Sequence, residues 1–304
     1  MNEQALSKRD AEVGKVLILI LGLNWAVAAA KIVFGFLTRS VSITADGFHS
    51  FSDGTSNVIG LIGIKFASRP TDEDHPYGHK KYETFFSLSI GALLIFFAFN
   101  LGREGISRFY KPVLPEIGIW SFIIMLLTLL TNIWVMRYEY KKGRELHSDI
   151  LTSDSMHTRA DILVSSSVIA ALGIIKVNPG LRFLDPLLTI FIAMVIVYVA
   201  FKIIRDCSKV LCDSAAITDT KKIANVVLGV KGVKACHKIR TRGREDDIHI
   251  DLHVQVNPHM HIDEAHEICY TIETAIIKTI PGVTDVLVHI EPRGNEPRDK
   301  KTPR

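Results

Sequence analysis

Residues 42–67 read SITADGFHSFSDGTSNVIGLIGIKFA, and residues 153–177 read SDSMHTRADILVSSSVIAALGIIKV. Each ends in an apolar run too short to cross a bilayer. Val58–Ala67 falls far short, and Ile162–Val177 reaches only about 24 Å at 1.5 Å per residue. A hydrocarbon core about 30 Å thick asks for roughly 20 mainly apolar helical residues. Either run becomes a full span only by extending toward its N-terminus, through 42–53 in one case and 153–161 in the other, and both extensions carry His and Asp. An ionisable side chain at mid-bilayer costs about 2.5–3.5 kcal/mol on insertion scales, so residues placed there are functional by default.

Four further segments are long and apolar enough without help: Val13–Leu37, Phe85–Gly105, Ile117–Met136 and Phe183–Ile204. With the two quoted stretches they make six spans. The first is too long for a signal-peptide core and has no small-residue cleavage site. Lys8, Arg9 and Lys15, then Lys65, Arg69, Lys80 and Lys81, then Arg137, Lys141, Lys142 and Arg144 flank one face of this arrangement, and the opposite face carries fewer basic residues. The bias predicts that both termini are cytoplasmic. Over the whole 304 residues, 48% are hydrophobic and 22% charged, with mean hydropathy +0.23. These values exclude a purely soluble enzyme, a disordered chain and a secreted disulfide scaffold. The net charge of +4 lies along the loops, which argues for membrane orientation and against a nucleic-acid partner. Cys207, Cys212, Cys236 and Cys269 come late and without CxxC spacing, as reduced thiols in cytoplasm would.

Asp46, His49, Asp53 and Asn57 are spaced by three, four and four, and so share one helical face. His157 and Asp161 repeat the HxxxD spacing of His49 and Asp53. Two such pairs supply two imidazoles and two carboxylates, a tetrahedral set suited to Zn2+ and tolerable for Fe2+, Co2+ or Cd2+. A single pair would equally fit a buried hydrogen bond between helices; two identical pairs, in the two spans that need them to cross, favour metal. Asp46 also fits a cap or a hydrogen bond within the bundle, and Lys31 and Arg159 fit snorkelling or paired side chains. Four protein ligands with no HExxH disfavour hydrolysis and point to transport. Because His and Asp bind metal only when deprotonated, protons and metal compete for the same atoms, which is the physical basis of exchange between them. An intramembrane metallohydrolase and a non-transporting metal-sensing or interaction protein are the rival classes, and within transport Fe2+, Cd2+, Co2+ or Mn2+ are rival cargoes.

Asp72, His75 and His79, in a loop between spans two and three, form DxxHxxxH, a partial metal site. From about residue 213 the pattern becomes that of a small soluble domain. A helix from Thr218, strands at Lys234–Thr241 and Asp247–Asn257, an amphipathic helix at Asp263–Ile280 and a strand at Val283–Ile290 give the order αββαβ. In the second strand Ile248, Ile250, Leu252, Val254 and Val256 alternate with His249, Asp251, His253 and Gln255, which predicts one buried face. His237, His253, His266 and His289 could converge, but spacing alone does not bring them together. The expected architecture is an all-α six-helix transmembrane bundle followed by a small α+β domain of ferredoxin or metallochaperone type. The divisions are a cytoplasmic tail at 1–12, the spans at 13–212, the cytoplasmic domain at 213–292 and a disordered tail at 293–304.

On the stretches Ala45–Asp53, His157–Asp161 and His75–Pro–Tyr–Gly–His79, followed by an αββαβ domain, the sequence resembles the cation diffusion facilitator family of divalent-metal exporters over nearly its whole length. The resemblance implies that His49, Asp53, His157 and Asp161 form the transport site. It implies a second site at Asp72, His75 and His79, and a binuclear cytoplasmic site at His237, His253, His266, His289 and Glu291. The last position is often Asp in close relatives, which leaves open how Glu291 would bridge. Lys81 and Asp213 match a charge pair that ties a dimer together. A homodimer in a bacterial-type plasma membrane, working by alternating access with protons as counter-ion, is what the likeness implies. His at position 49 is similar to the zinc-preferring members.

Overall fold

The structure, a computed structural model, describes residues 3–37, 54–110, 119–177 and 184–294. The chain divides into two compact units, Glu3–Ser208 and a second that contains Lys209–Arg304. The first is built from α1 (Glu3–Leu37), α2 (Thr55–Ala67), α3 (Lys81–Tyr110), α4 (Ile119–Glu145), α5 (Asp149–Val177) and α6 (Leu184–Leu211). By length and apolar character alone, among the described residues, only Lys8–Val33 and Lys81–Ser107 qualify to cross a membrane. The expected extension of α2 back through 42–53 lies outside the described residues. α5 includes the predicted extension: it runs unbroken from Asp149 through His157 and Asp161 to Val177.

The helices turn apolar side chains both inward and outward. Val13, Leu17 and Ile20 of α1, Ile64 of α2, Val135 of α4 and Ile150 and Leu151 of α5 form one buried cluster. Leu94 and Ala98 of α3, Ala160 of α5 and Ile192, Ile196 and Ala200 of α6 form another. On the outer faces Phe99 is 70% exposed, Phe191 57% and Leu127 59%, as lipid-facing side chains are. Small residues let α2 sit close to its neighbours. A Cβ on Gly63 would meet Phe86 Cβ at 2.7 Å and Ile150 Cδ1 at 2.8 Å, and one on Gly60 would meet Ile150 Cγ2 at 2.7 Å.

The second unit carries α7 (Lys221–Leu228), β1 (Ala235–Arg244), β2 (Asp247–Val256), α8 (Ile262–Thr279) and β3 (Val283–Pro292), the expected αββαβ order. The sheet runs β1-β2-β3, with β1 antiparallel and β3 parallel to β2. Along β2 burial alternates at every residue, with Ile248, Ile250, Leu252, Val254 and Val256 inward. They meet Ile268, Ile272 and Ile276 of α8 and Ile223 and Val227 of α7 in one core. Each such aliphatic side chain contributes about 1.5–3 kcal/mol by leaving water. Consequently the odd-numbered residues of β2 face away from α8, and the histidines among them are on the side of the sheet that no helix of this core covers.

Candidate metal centres

The membrane unit holds a polar cavity of about 20 Å³, room for one water or one ion, lined by Asn24, Val27, Ser56, Thr128, Asn132, Asp154, His157, Thr158 and Asp161. It exists because four helices present polar residues toward one point of an otherwise apolar interior. His157 is 3% exposed, and both its ring nitrogens are buried without a hydrogen-bond partner among the described residues. Its Nε2 stands 3.9 Å from Asp161 Oδ2, one turn along α5, too far for a hydrogen bond. Two imidazole nitrogens left unsatisfied there would cost a few kcal/mol, and a metal ion is one partner that could satisfy them. Of the four expected intramembrane ligands, His157 and Asp161 line this cavity, while His49 and Asp53, together with Asp46, lie outside the described residues.

The sequence reading missed part of the lining. Asn24 Nδ2 donates to Asn57 Oδ1 at 3.1 Å, and Asn57 Nδ2 in turn donates to Asp154 Oδ2. Asn24 and Asn132 interrupt apolar spans, and that interruption was the available signal. The spacing argument names Asn57 but gives it no task.

In the loop, Asp72, His75 and His79 come together, with one ligand atom from each lying within 4.8 Å of the others. His75 N donates to Asp72 Oδ1 at 2.7 Å, and His75 Nδ1 lies 3.1 Å from the same oxygen. His79, buried, has Nδ1 2.9 Å from Pro70 O, which calls for the Nδ1–H tautomer and leaves Nε2, 3.4 Å from Asp72 Oδ2, as the lone-pair atom. The Tyr82 hydroxyl reaches His75 Nε2 at 3.3 Å. Slight burial works to raise the Asp72 pKa, but the hydrogen bonds from the His75 amide and ring, with both imidazoles nearby, outweigh it and hold the carboxylate below its ordinary range.

On the uncovered face of the sheet, His237, His253 and Glu291 form a second such triad. Strand register does this: His237 pairs with His253 across β1 and β2, and His253 with His289 across β2 and β3. His253 Nδ1 lies 2.6 Å from Glu291 Oε1, and His237 Nε2 lies 3.1 Å from Oε2. Each carboxylate oxygen thus faces a different histidine, which is the arrangement bridging requires. His289 stands beside the triad, with its ring 4.6 Å from that of His253 and Nε2 3.9 Å from Glu291 Oε1. The His253 hydrogen bond lowers the Glu291 pKa against the opposing effect of burial, and the neighbouring His237 adds to the lowering. His266 does not join them: it is exposed on α8, and α8 packs against the other face of the sheet through Ile268, Ile272 and Ile276. Lys81 opens α3 and Asp213 follows α6, each in a different unit. The four cysteines are free thiols.

Two family patterns match the chain: the cation efflux transmembrane domain over residues 17–212, and the cytoplasmic domain of cation efflux proteins over residues 217–293. An uncharacterised transporter of Methanocaldococcus jannaschii is 32% identical over 284 residues, 92% of this chain and 98% of its own. Metal tolerance protein C1 of Arabidopsis thaliana is 29% identical over 96% of this chain and 65% of its own length. The cation-efflux pump FieF of Pectobacterium carotovorum is 26% identical over 89% of this chain and 90% of its own.

Proposed function

This chain belongs to the cation efflux family, whose members transport divalent metal cations across membranes, and from that premise we propose that it exports Zn2+ from the cytoplasm in exchange for protons. The ion is held at mid-membrane by His49, Asp53, His157 and Asp161, in a bundle of six spans with both termini cytoplasmic. The observation that carries this reading is the pair of unpartnered nitrogens on buried His157, in a polar cavity shared with Asp161. An imidazole so placed gains most from a borderline cation such as Zn2+ and is ready to take a proton once the ion leaves. Proton and metal then alternate on the same atoms, and alternating access converts the proton gradient into metal efflux.

Asp72, His75 and His79 hold a second ion in the loop, and His237, His253, His289 and Glu291 hold metal on the cytoplasmic domain. Two copies of the chain assemble as a homodimer, with Lys81 and Asp213 as the charge pair near the membrane surface. His266, which one chain turns away from its own triad, becomes available to the triad of the second copy.

The test is metal uptake into proteoliposomes under an imposed pH gradient, with Zn2+, Fe2+, Cd2+, Co2+ and Mn2+ compared side by side. Gradient-driven Zn2+ flux in the native protein, abolished by Asp161→Ala, is the expected outcome. Flux of another metal in preference to Zn2+ would overturn the cargo, and full flux in Asp161→Ala would overturn the site.

A further inference from the structure

Helix α4 turns two contrasting faces in opposite directions. Thr128 and Asn132 line the polar cavity, and Val135, Glu139 and Gly143 further along the same side are buried. Gly143 lies so close to α5 that a Cβ there would meet Thr152 Oγ1 at 2.7 Å. The other side carries an uninterrupted row. Leu127, Leu130, Trp134, Arg137, Lys141 and Arg144 follow at spacings of three, four, three, four and three, which keeps them on one face of a helix, and every one of them is exposed.

Along that row the chemistry changes in order from leucine to tryptophan to three cations. Trp134 is 53% exposed and stacks on Tyr138, with ring centroids 5.3 Å apart and planes 4° from parallel. Amphipathic rings of this kind belong where hydrocarbon gives way to headgroups. At 1.5 Å per residue Arg137 stands about 4.5 Å beyond Trp134 along the helix and Lys141 about 10 Å beyond it, within snorkelling reach of the headgroup layer. The three cations are largely uncommitted. Among the described residues the carboxylate nearest in sequence, Glu145, is taken by Lys142 at 2.9 Å and reaches Lys141 only at 3.8 Å, and none forms an ion pair with Arg137 or Arg144. Lys141 keeps 75% of its side chain in the open.

A second copy of the chain is a poor occupant for such a row. Two copies inserted in the same sense are related by an axis along the membrane normal, so Arg137, Lys141 and Arg144 would each face their own duplicates. What fits is a ligand with apolar length on one side of the tryptophan and negative charge on the other. We propose that this row of α4 is a docking surface for an anionic phospholipid, with acyl chains along Leu127 and Leu130 and the headgroup charge among Arg137, Lys141 and Arg144. The guanidinium groups suit phosphate because their planar forks meet its oxygens two at a time. A free phosphate ion would use the same cations but none of the apolar row, so the surface is assigned to lipid. Seated there, the lipid sets the depth of α4 and of α5 packed against it.

The inference rests on α4 crossing the membrane, as the six-span reading has it, and needs nothing of the transported ion, so its test is separate from metal uptake. The full chain is reconstituted in phosphatidylcholine vesicles, and quenching of Trp134 fluorescence is followed as brominated phosphatidylglycerol or brominated phosphatidylcholine replaces part of the lipid. Trp25 and Trp120 are the other tryptophans, so Trp25→Phe with Trp120→Phe isolates the signal. Should that variant fold poorly, the difference between the native protein and Trp134→Phe isolates it equally. Half-maximal quenching should need about fivefold less phosphatidylglycerol than phosphatidylcholine, the factor that a single cation at the headgroup level supplies. Arg137→Gln, Lys141→Gln and Arg144→Gln together should bring the two lipids level. Equal quenching by both lipids in the native protein, or a preference that survives the triple variant, overturns the headgroup assignment and leaves the span standing. A preference abolished by inorganic phosphate at constant ionic strength makes this a free-anion site and overturns lipid as its occupant. Trp134 quenched by neither lipid means that protein covers the row or that α4 does not cross, and either overturns the proposal whatever the Zn2+ flux.

Discussion

His79 and His157 are the same side chain in opposite circumstances, and the difference sets what each can do. His79 has Nδ1 committed to Pro70 O at 2.9 Å, so its tautomer and ring orientation are fixed before any metal arrives. His157 has neither nitrogen committed to a hydrogen bond among the described residues, so both face whatever enters the cavity. A third histidine, His249 on β2, belongs to no proposed metal site and gives a clean pH prediction. Its ring lies 3.7 Å from Asp247 and 3.4 Å from Asp285 of β3. The Asp247 carboxylate, as acceptor for the ring N–H, raises its pKa above the ordinary 6.5, burial works against the rise, and Asp285 adds to it. A raised folded pKa means that the stabilisation is complete below the ordinary value and is lost as pH climbs through the folded one. Protection of the β2 and β3 amides, after correction for the intrinsic rise of exchange with pH, should therefore fall as pH climbs above the ordinary 6.5, and His249→Gln should flatten that dependence. An equally steep profile in the variant would remove His249 as its source.

At the scale of elements, the soluble part was the more legible. A period of two in β2 and a Pro281–Gly282 stop after α8 define strand and helix by sterics alone, and the observed bounds fall within a few residues of those expected. Register then made the His237/His253/Glu291 triad, which spacing could not show, because side chains converge only once β1, β2 and β3 are paired. His266 shows the limit from the other side: its position on the helix was clear, but not which face of the sheet that helix would cover. In the membrane unit, the His157/Asp161 pair of α5 was readable from its four-residue spacing. Asn24 was not, because it is a single polar residue whose partner, Asn57, lies on another helix. Glycines mark where elements meet most tightly. Gly282 has φ +81, and a Cβ there would come 2.0 Å from the Glu245 carbonyl oxygen. Gly282→Ala should destabilise the cytoplasmic domain by about 2 kcal/mol or more, combining left-handed strain with displacement of the β1–β2 turn. Gly63→Val, which meets Phe86 and Ile150, should cost about 1–3 kcal/mol in the membrane unit. Thermal melts followed separately in the two units check both, and a native melting profile in either variant would contradict the close approach described.

Across the membrane unit as a whole, two helices and a turn are tied by one buried charge cluster near the chain's beginning. Arg9 Nη1 pairs with Glu83 Oε2 at 2.7 Å and with Asp10 Oδ1 at 2.8 Å, while Nε and Nη2 each donate at 2.9 Å to the Leu146 and His147 carbonyls. Ser148 Oγ donates to Glu83 Oε1 at 2.5 Å, and Lys80 Nζ reaches Asp10 at 3.4 Å. α1, α3 and the α4–α5 turn are thus joined through groups that are nearly all out of water: Arg9 is 8% exposed and Glu83 0%. Lys80 directly follows His79, so the cluster adjoins the loop triad in sequence. The desolvation of so many charges offsets most of their mutual attraction, so the cluster adds little net stability, yet its parts are strongly interdependent. Arg9→Met leaves Glu83 buried beside Asp10 with its main countercharge gone and should destabilise the unit by about 3–5 kcal/mol. Arg9→Met combined with Glu83→Gln removes the orphaned charge as well and should recover a substantial part of that loss, a coupling of about 0.5–3 kcal/mol. Thermal unfolding of the native protein, the two single variants and the double variant closes the cycle. Strict additivity would mean that Arg9 and Glu83 act independently, and the cluster would then not be what holds α1 against α3.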